Sequence, residues 1–391
     1  MKSESELQIR VVPAIADVPA AAWDGCANPS CDPQTFPYNP FVSHAFLSAL
    51  EVSGSATARG GWQPQHLIAE IDGNAVGVVP CYLKSHSRGE YVFDAGWAEA
   101  YERAGGSYYP KVQVSVPFTP ATGRRLLVAP GDAADIIREG LGKGLIELAR
   151  MRDASSVHVT FAPRPEWELL GELGYLKRND QQFHWENAGY ASFDDFLAEL
   201  SSRKRKELRK ERARAQQGVE IRHLTGADLR PEHWEAFWRF YQDTGARKWG
   251  HPYLTRAAFD LFGERMGEQM LLVLAYEQGA PIAGALNFIG EDALYGRYWG
   301  CTVDKPFLHF ELCYYQAIDA AIERRLGRVE AGAQGGHKLA RGYAPVRTWS
   351  AHWIGDPGFR EAVADFLARE REGVAQESLY LGARTPFRKN T

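Results

Sequence analysis

Two segments 206 residues apart carry the same pattern, and this repeat limits the fold more than any other feature of the chain. The first is His66-Leu67-Ile68-Ala69-Glu70-Ile71, then Asp72-Gly73-Asn74, then Ala75 to Leu83. The second is Met270 to Glu277, then Gln278-Gly279, then Ala280 to Phe288. Each is a run of apolar and β-branched residues, a glycine turn, and a second run with an internal glycine, Gly77 or Gly284. Such runs form strands, and glycine supplies the positive φ that a tight hairpin needs. The spacing is close to half of the 391 residues, so an internal duplication is expected, with the hairpins in two separate sheets.

Helical spacing in Ala133–Arg152 leads into a short apolar strand, Ser155–Phe161. In the other half, Leu312, Tyr315, Ile318 and Ile322 fall on one face of a helix that leads into Arg328–Gly332. Helix then strand beside an antiparallel hairpin predicts an α/β sheet of mixed direction, twice. The expected domains are residues 1–188 and 189–391, the second beginning with a basic helix. That helix holds eight cations and two anions between Arg203 and Arg214, with Ser202 as N-cap. Two readings stand: a solvated face, or a surface for phosphate or RNA backbone built on Arg205, Lys206, Arg209 and Lys210.

Charge and composition remove several classes. A net charge of -4 excludes a polycation that coats DNA or anionic membrane, so nucleic-acid contact must come from a local patch. The longest apolar stretch, Met270–Tyr276, falls far short of the ~20 residues of a membrane span. The polar opening Met1–Glu6 lacks the pattern of a signal peptide, and five scattered cysteines give no disulfide framework. Cys26 and Cys31 lack a second pair to complete a zinc set, so no metal is expected. A cytoplasmic protein is the consistent expectation. No GxGxxG after a strand, Walker loop, HExxH, paired CxxC or GxSxG occurs.

The first half resembles the GNAT acyltransferases through its hairpin, helix, Val157–Phe161 strand and the stretch Pro165-Glu166-Trp167-Glu168-Leu169-Leu170-Gly171-Glu172-Leu173-Gly174-Tyr175. The resemblance implies a pyrophosphate loop R/Q-x-x-G-x-G/A at a helix N-terminus, where N–H groups and the dipole favour anions. The nearest match is Glu139-Gly140-Leu141-Gly142-Lys143-Gly144, with Glu in place of Arg or Gln; the other reading is glycines relaxing a helix start. The second half, Phe196–Lys210 continuing to Gly218-Val219-Glu220-Ile221, is similar to the Fem-type peptidoglycan aminoacyltransferases. Over the whole chain the resemblance is to the FemAB-like predicted N-acyltransferases, carried by Asn39–Ser43, Tyr108–Lys111, Pro117–Pro120, Gly296–Cys301 and Glu330–Lys338. It implies two tandem GNAT-like domains moving an acyl or aminoacyl group from a CoA thioester or an aminoacyl-tRNA to an amine. A cell-wall precursor or a small metabolite is the expected acceptor, and tRNA a candidate partner. The competing class is a silent binding module with a degenerate cleft.

N-acyl transfer needs a group to take the amine proton and donors for the developing oxyanion. Glu330, Gln334, His337, Lys338 and Arg341 cluster among Gly332, Gly335 and Gly336, which let backbone approach a ligand. His337 or Glu330 is the candidate proton acceptor. The resemblance gives Lys338, expected on an exposed loop, the donor contact. Tyr298, Trp299 and Glu311 should face the same cleft, and Cys301 with His309 could carry an acyl group unless the thiol is simply buried. In the first half, the insert containing Trp97 and Lys111 could shape an acceptor groove, and Arg124 could contact phosphate.

Overall fold

The computed structural model describes residues 6–30, 34–248, 252–332, 335–382 and 384–388, without the side chains of 246–248. Fifteen strands are formed among them. The first eight are β1 (Gln8–Val12), β2 (Trp62–Pro64), β3 (His66–Ile71), β4 (Asn74–Val79), β5 (Cys81–Lys84), β6 (Lys111–Val114), β7 (Leu127–Val128) and β8 (Ser156–Ala162). Then come β9 (Leu176–Glu186), β10 (Glu220–Leu224), β11 (Met270–Glu277), β12 (Ala280–Ile289), β13 (Ala293–Cys301), β14 (Arg328–Glu330) and β15 (Ala344–Ile354).

The chain forms two compact units, Met1–Asp180 with Arg347–Ala375, and Gln181–Val346 with Gln376–Thr391. In the first, β3 lies between β1 and β4, and β6 pairs antiparallel with β5 and parallel with β8. In the second, β11 lies between β10 and β12, and β13 pairs antiparallel with β12 and parallel with β14. Each parallel pair is joined by a helical crossover, Ala134–Met151 in one unit and residues 308–323 in the other. The order of elements is thus the same twice.

This arrangement explains where the expected boundary after residue 188 and the units diverge. The neighbour of β8 on its other side is Trp349–Ile354 of β15, whereas the neighbour of β14 is His184–Glu186 of β9. Each unit is completed by a strand that a 1–188/189–391 division gives to the other.

The repeat extends to register. Ala69 pairs with Gly77 and Ala275 with Ala283, and each ladder shifts at the next residue, between Ala69/Glu70 and Ala275/Tyr276. Both turns have two consecutive residues at positive φ, Asp72-Gly73 and Gln278-Gly279, the conformation that matches strand twist. The internal glycines do different work. A Cβ on Gly77 would meet Ile137 and Leu141 of the crossover helix, and one on Gly284 would meet Leu274 and Phe237.

The glycines of Glu139–Gly144 lie inside the helix Ala134–Met151, neither in a loop nor at its start. A Cβ on Gly142 would come 2.6 Å from Leu173, so this glycine lets a neighbouring helix approach. No peptide N–H groups are free there to hold a pyrophosphate, because helix-interior donors are spent on the preceding turn.

Candidate active site

In the second unit, β13 pairs with β14 only over Ala293–Tyr295 and then parts from it. A bulge sits where they separate: Asn287 faces Gly296 and Leu286 faces Tyr298, leaving Arg297 as the extra residue. Its guanidinium spans the gap, donating from Nη1 to the carbonyls of Gly296 at 2.9 Å and Glu330 at 3.2 Å. A cavity of about 110 Å³ opens beside it, lined among others by Asn287, Trp299, His309, Cys313 and Tyr314. Cys313 and Tyr314 belong to a π-helical turn, Glu311–Tyr315, that interrupts the crossover helix. Such turns widen the spiral by one residue and re-aim side chains.

The short 3₁₀ segment Gly336–Arg341 carries the expected loop residues. His337 is exposed, and its Nε2 lies 2.9 Å from the Tyr314 hydroxyl. Lys338 is 3% exposed, which corrects the expectation of a solvated loop lysine. Its ammonium donates to the carbonyls of Ala331 at 2.6 Å and Gly332 at 3.0 Å, groups that the end of β14 leaves without ladder partners. Burial, with Arg297 nearby, lowers its pKa to about 8.

Glu330 is fully buried and faces two guanidinium groups, Arg328 Nε at 3.2 Å and Arg297 Nη2 at 3.6 Å, with His184 Nε2, whose pKa burial lowers, at 3.9 Å. A carboxylate so placed is a counter-ion that holds guanidinium groups in position. Arg341 stacks 3.4 Å from the centre of the Phe310 ring and donates to the carbonyl of His337 at 2.8 Å. It also forms a fork with Glu211 of the basic helix, at 2.9 and 3.1 Å. Arg341 is therefore a brace for the segment that carries His337.

Of the other expected residues, Tyr298 and Trp299 line the cavity and Glu311 does not. Glu311 is buried, and its Oε1 accepts from Arg212, Gln216 and Gln316 at 3.2, 2.8 and 2.6 Å, which fastens the basic helix to the π turn. Tyr298 packs against Tyr241, and Trp299 meets His309 edge-on at 5.1 Å between ring centres. Cys301 is not among the cavity residues, so the expected Cys301–His309 pair is not assembled there; the cavity thiol is Cys313. Gln334 and Cys31 lie outside the described residues.

The basic helix, Ser202–Gln216, buries Leu208 and Ala215 and turns most of its cations outward. Arg203 and Lys204 pair with Glu207, and Arg209 with Asp194 at 2.8 Å. Arg205, Lys206 and Lys210 have no ion-pair partner among the described residues, and Lys206 and Lys210 line a shallow groove along the helix.

In the first unit, Trp97 lines an apolar cavity of about 270 Å³, whereas Lys111 is core. Lys111 is fully buried, donating to Ser87 at 2.8 Å, Glu90 at 2.6 Å and Asp94 at 2.5 Å. Burial opposes its charge, yet the two carboxylates raise its pKa overall. Trp97 is buried on the His352 ring at 5.0 Å, beneath the Arg178 guanidinium. Arg124 donates to the carbonyls of Ala27 at 2.6 Å and Cys26 at 3.3 Å, so its donors are spent on backbone, not on a phosphate.

Sequence reasoning missed the roles of Arg297, Asn287, Cys313 and Tyr314. The available signal was a lone Asn in the apolar run Ile282–Phe288. The bulge and the π turn that bring the others together have no sequence signature.

Residues 14–389 match the model of a single family, FemAB-like, described as peptidoglycan biosynthesis/recognition. The chain belongs to the FemAB-like family. Among solved structures it is similar to FemX, with a TM-score of 0.55 at 11% identity, over 89% of this chain and 98% of that one. A tandem GNAT protein from the clavulanic acid biosynthesis pathway gives 0.48 at 13% identity, over 90% and 99%. L-PGS from Bacillus licheniformis gives 0.48 at 10%, over 85% and 98%. No curated protein matches the chain. The FemX likeness is one of fold, and it agrees with the tandem GNAT-like order of strands in this FemAB-like protein. No helix among the described residues is long and apolar enough to cross a membrane.

Proposed function

We propose that this FemAB-like protein is an N-acyltransferase that works in the cavity beside β13 of the second unit. It moves an acyl or aminoacyl group from an activated donor to an amine on a peptidoglycan precursor. The supporting observation is that Arg297 and Tyr314 line one small cavity where two strands separate, with the buried ammonium of Lys338 near Arg297 and His337 bonded to Tyr314.

The chemistry follows from these groups. The acceptor's neutral amine attacks the donor carbonyl carbon, and charge develops on the carbonyl oxygen. Arg297 is fixed by two backbone carbonyls, so it can meet that charge without reorganising. Lys338 adds a positive charge that is not screened by water. Burial holds the Tyr314 phenol protonated, so it can pass its proton to His337 Nε2 while taking one from the amine. Collapse of the intermediate expels a thiolate or ribose oxygen, which His337 reprotonates.

Aminoacyl-tRNA is the favoured donor. No glycine occurs between Cys301 and Gly327, where a GNAT-type pyrophosphate loop would follow the splayed strand. The outward cations Arg205, Lys206 and Lys210 suit an RNA backbone instead. The test is a turnover assay that offers a peptidoglycan-precursor peptide with one free amine and one donor at a time. Amide product with aminoacyl-tRNA and none with acyl-CoA is expected. Product with acyl-CoA alone would overturn the donor assignment, and none with either would favour a silent binding module.

A further inference from the structure

Asn287 is 1% exposed in the middle of an apolar strand. Its Nδ2 donates to the carbonyl of Leu271 at 3.2 Å and approaches that of Ala285 at 3.5 Å. These contacts fix the amide's orientation, because the flipped amide would set oxygen against oxygen. Oδ1 therefore points the other way, and it has no hydrogen-bond partner among the described residues. It faces Gly296, where a Cβ would stand 3.4 Å from it. Both residues line the cavity. The bulge at Arg297 sets this glycine opposite Asn287, so no side chain on the facing strand stands between the buried oxygen and the cavity.

A buried acceptor without a donor is costly, and such atoms call for an explanation. The cavity is about 110 Å³, smaller than the roughly 150 Å³ apolar cavity that admits benzene, so it holds a group of about four or five non-hydrogen atoms. The attacking amine gives one proton to the Tyr314–His337 pair and meets the site only during attack. A donor that stays beside Oδ1 from binding to transfer is one carried by the group being transferred.

We infer that Asn287 Oδ1 selects the transferred group by accepting a hydrogen bond from an N–H or O–H on the carbon next to its carbonyl. The donor then carries a small α-amino or α-hydroxy acyl group, and plain acyl chains are discriminated against. This rests on the cavity being the transfer site. An analogue that lacks the hydrogen bond leaves Oδ1 unpaired again, which is how a polar site rejects an isostere.

Three donors of equal size test it: alanyl, lactyl and propionyl groups, each offered on tRNA and as a CoA thioester. They place an amine, a hydroxyl and a hydrogen at the same carbon. Wild type should use alanyl and lactyl donors comparably in kcat/KM and propionyl about 10–10²-fold less well. In Asn287→Leu the preference should collapse to within about threefold, through loss on alanyl and lactyl and not gain on propionyl. Equal use of propionyl by wild type overturns the inference, as does a folded Asn287→Leu that keeps the preference. Should that variant not fold, the wild-type series alone decides. If none of the six donors is used, the acyltransferase reading fails and the inference fails with it.

Discussion

Lys338→Met perturbs stability and chemistry at one position, and the structure predicts a different size for each effect. The substitution removes the donor to the carbonyls of Ala331 and Gly332, which at about 1–3 kcal/mol each is the destabilising side. Against it stands relief of the ammonium's burial. A pKa lowered from 10.5 to about 8 corresponds to roughly 3 kcal/mol against the charged form. The two largely cancel, so the unfolding free energy should fall by no more than about 3 kcal/mol, several degrees in Tm. Turnover should fall much further, by about 10²–10³, if the buried charge faces the oxyanion.

The pH dependence separates the two effects. In the folded state Lys338 loses its proton near pH 8, and in the unfolded chain only near its ordinary value. Between about pH 8 and 10.5 the unfolded state binds more protons, so this lysine makes stability rise with pH across that window. Activity that needs the charged form falls over the same range, with a limb in kcat/KM near pH 8. Lys338→Arg keeps the charge and should lose that limb, whatever its residual rate. Stopped-assay pH profiles beside denaturant titrations read both. A wild-type profile flat from pH 7 to 10 would refute the reasoning, as would a Lys338→Met protein with full turnover.

Gly300→Ala should cost about 3 kcal/mol in denaturant unfolding, since its Cβ would stand 2.2 Å from the backbone oxygen of Phe240, which cannot yield as a side chain can; unchanged stability would contradict the packing. His158 and His352 meet Nδ1 to Nδ1 at 2.7 Å in the core of the first unit, and burial lowers the pKa of His158 to about 3. The folded state then resists protonation that the unfolded chain accepts below about pH 6.5, so stability is lost as pH falls from 7 to 4.5, by a few kcal/mol in order of magnitude. Thermal melts that do not shift between pH 7 and 4.5 would refute this. Replacing Arg205, Lys206 and Lys210 with Gln should weaken tRNA binding and reduce its salt slope by about 0.7–0.9 per contact, while unchanged binding would assign the helix to solvent.

The parts of this molecule that its sequence reveals are those set by local chemistry. The hairpins are legible because alternation and a glycine turn act over a few residues, and they recur with the same register shift at Ala69 and Ala275. The strand that completes each unit is not legible, because pairing of β15 with β8 depends on residues nearly two hundred positions away. Glycines mislead when their purpose is a close approach, as at Gly142 beside Leu173. Charged side chains mislead in a similar way. Lys338, Lys111 and Arg124 read as solvated or ligand-facing, yet each is taken up by carbonyls or carboxylates of its own unit. Their types suggested function, but only their partners reveal which ones retain free donors. His337 lies exposed beside the cavity residue Tyr314.

The central claim is that acyl transfer takes place beside β13 of the second unit. The most direct measurement is the single-turnover rate of amide formation on a peptidoglycan-precursor peptide, followed by mass, for wild type, Arg297→Met, His337→Ala and the first-unit variant His158→Gln. The account predicts losses of about 10²–10³ for Arg297→Met and about 10²–10⁴ for His337→Ala, with His158→Gln within about threefold of wild type. Undiminished rates in the two second-unit variants, or a rate abolished by His158→Gln in a folded protein, would contradict it.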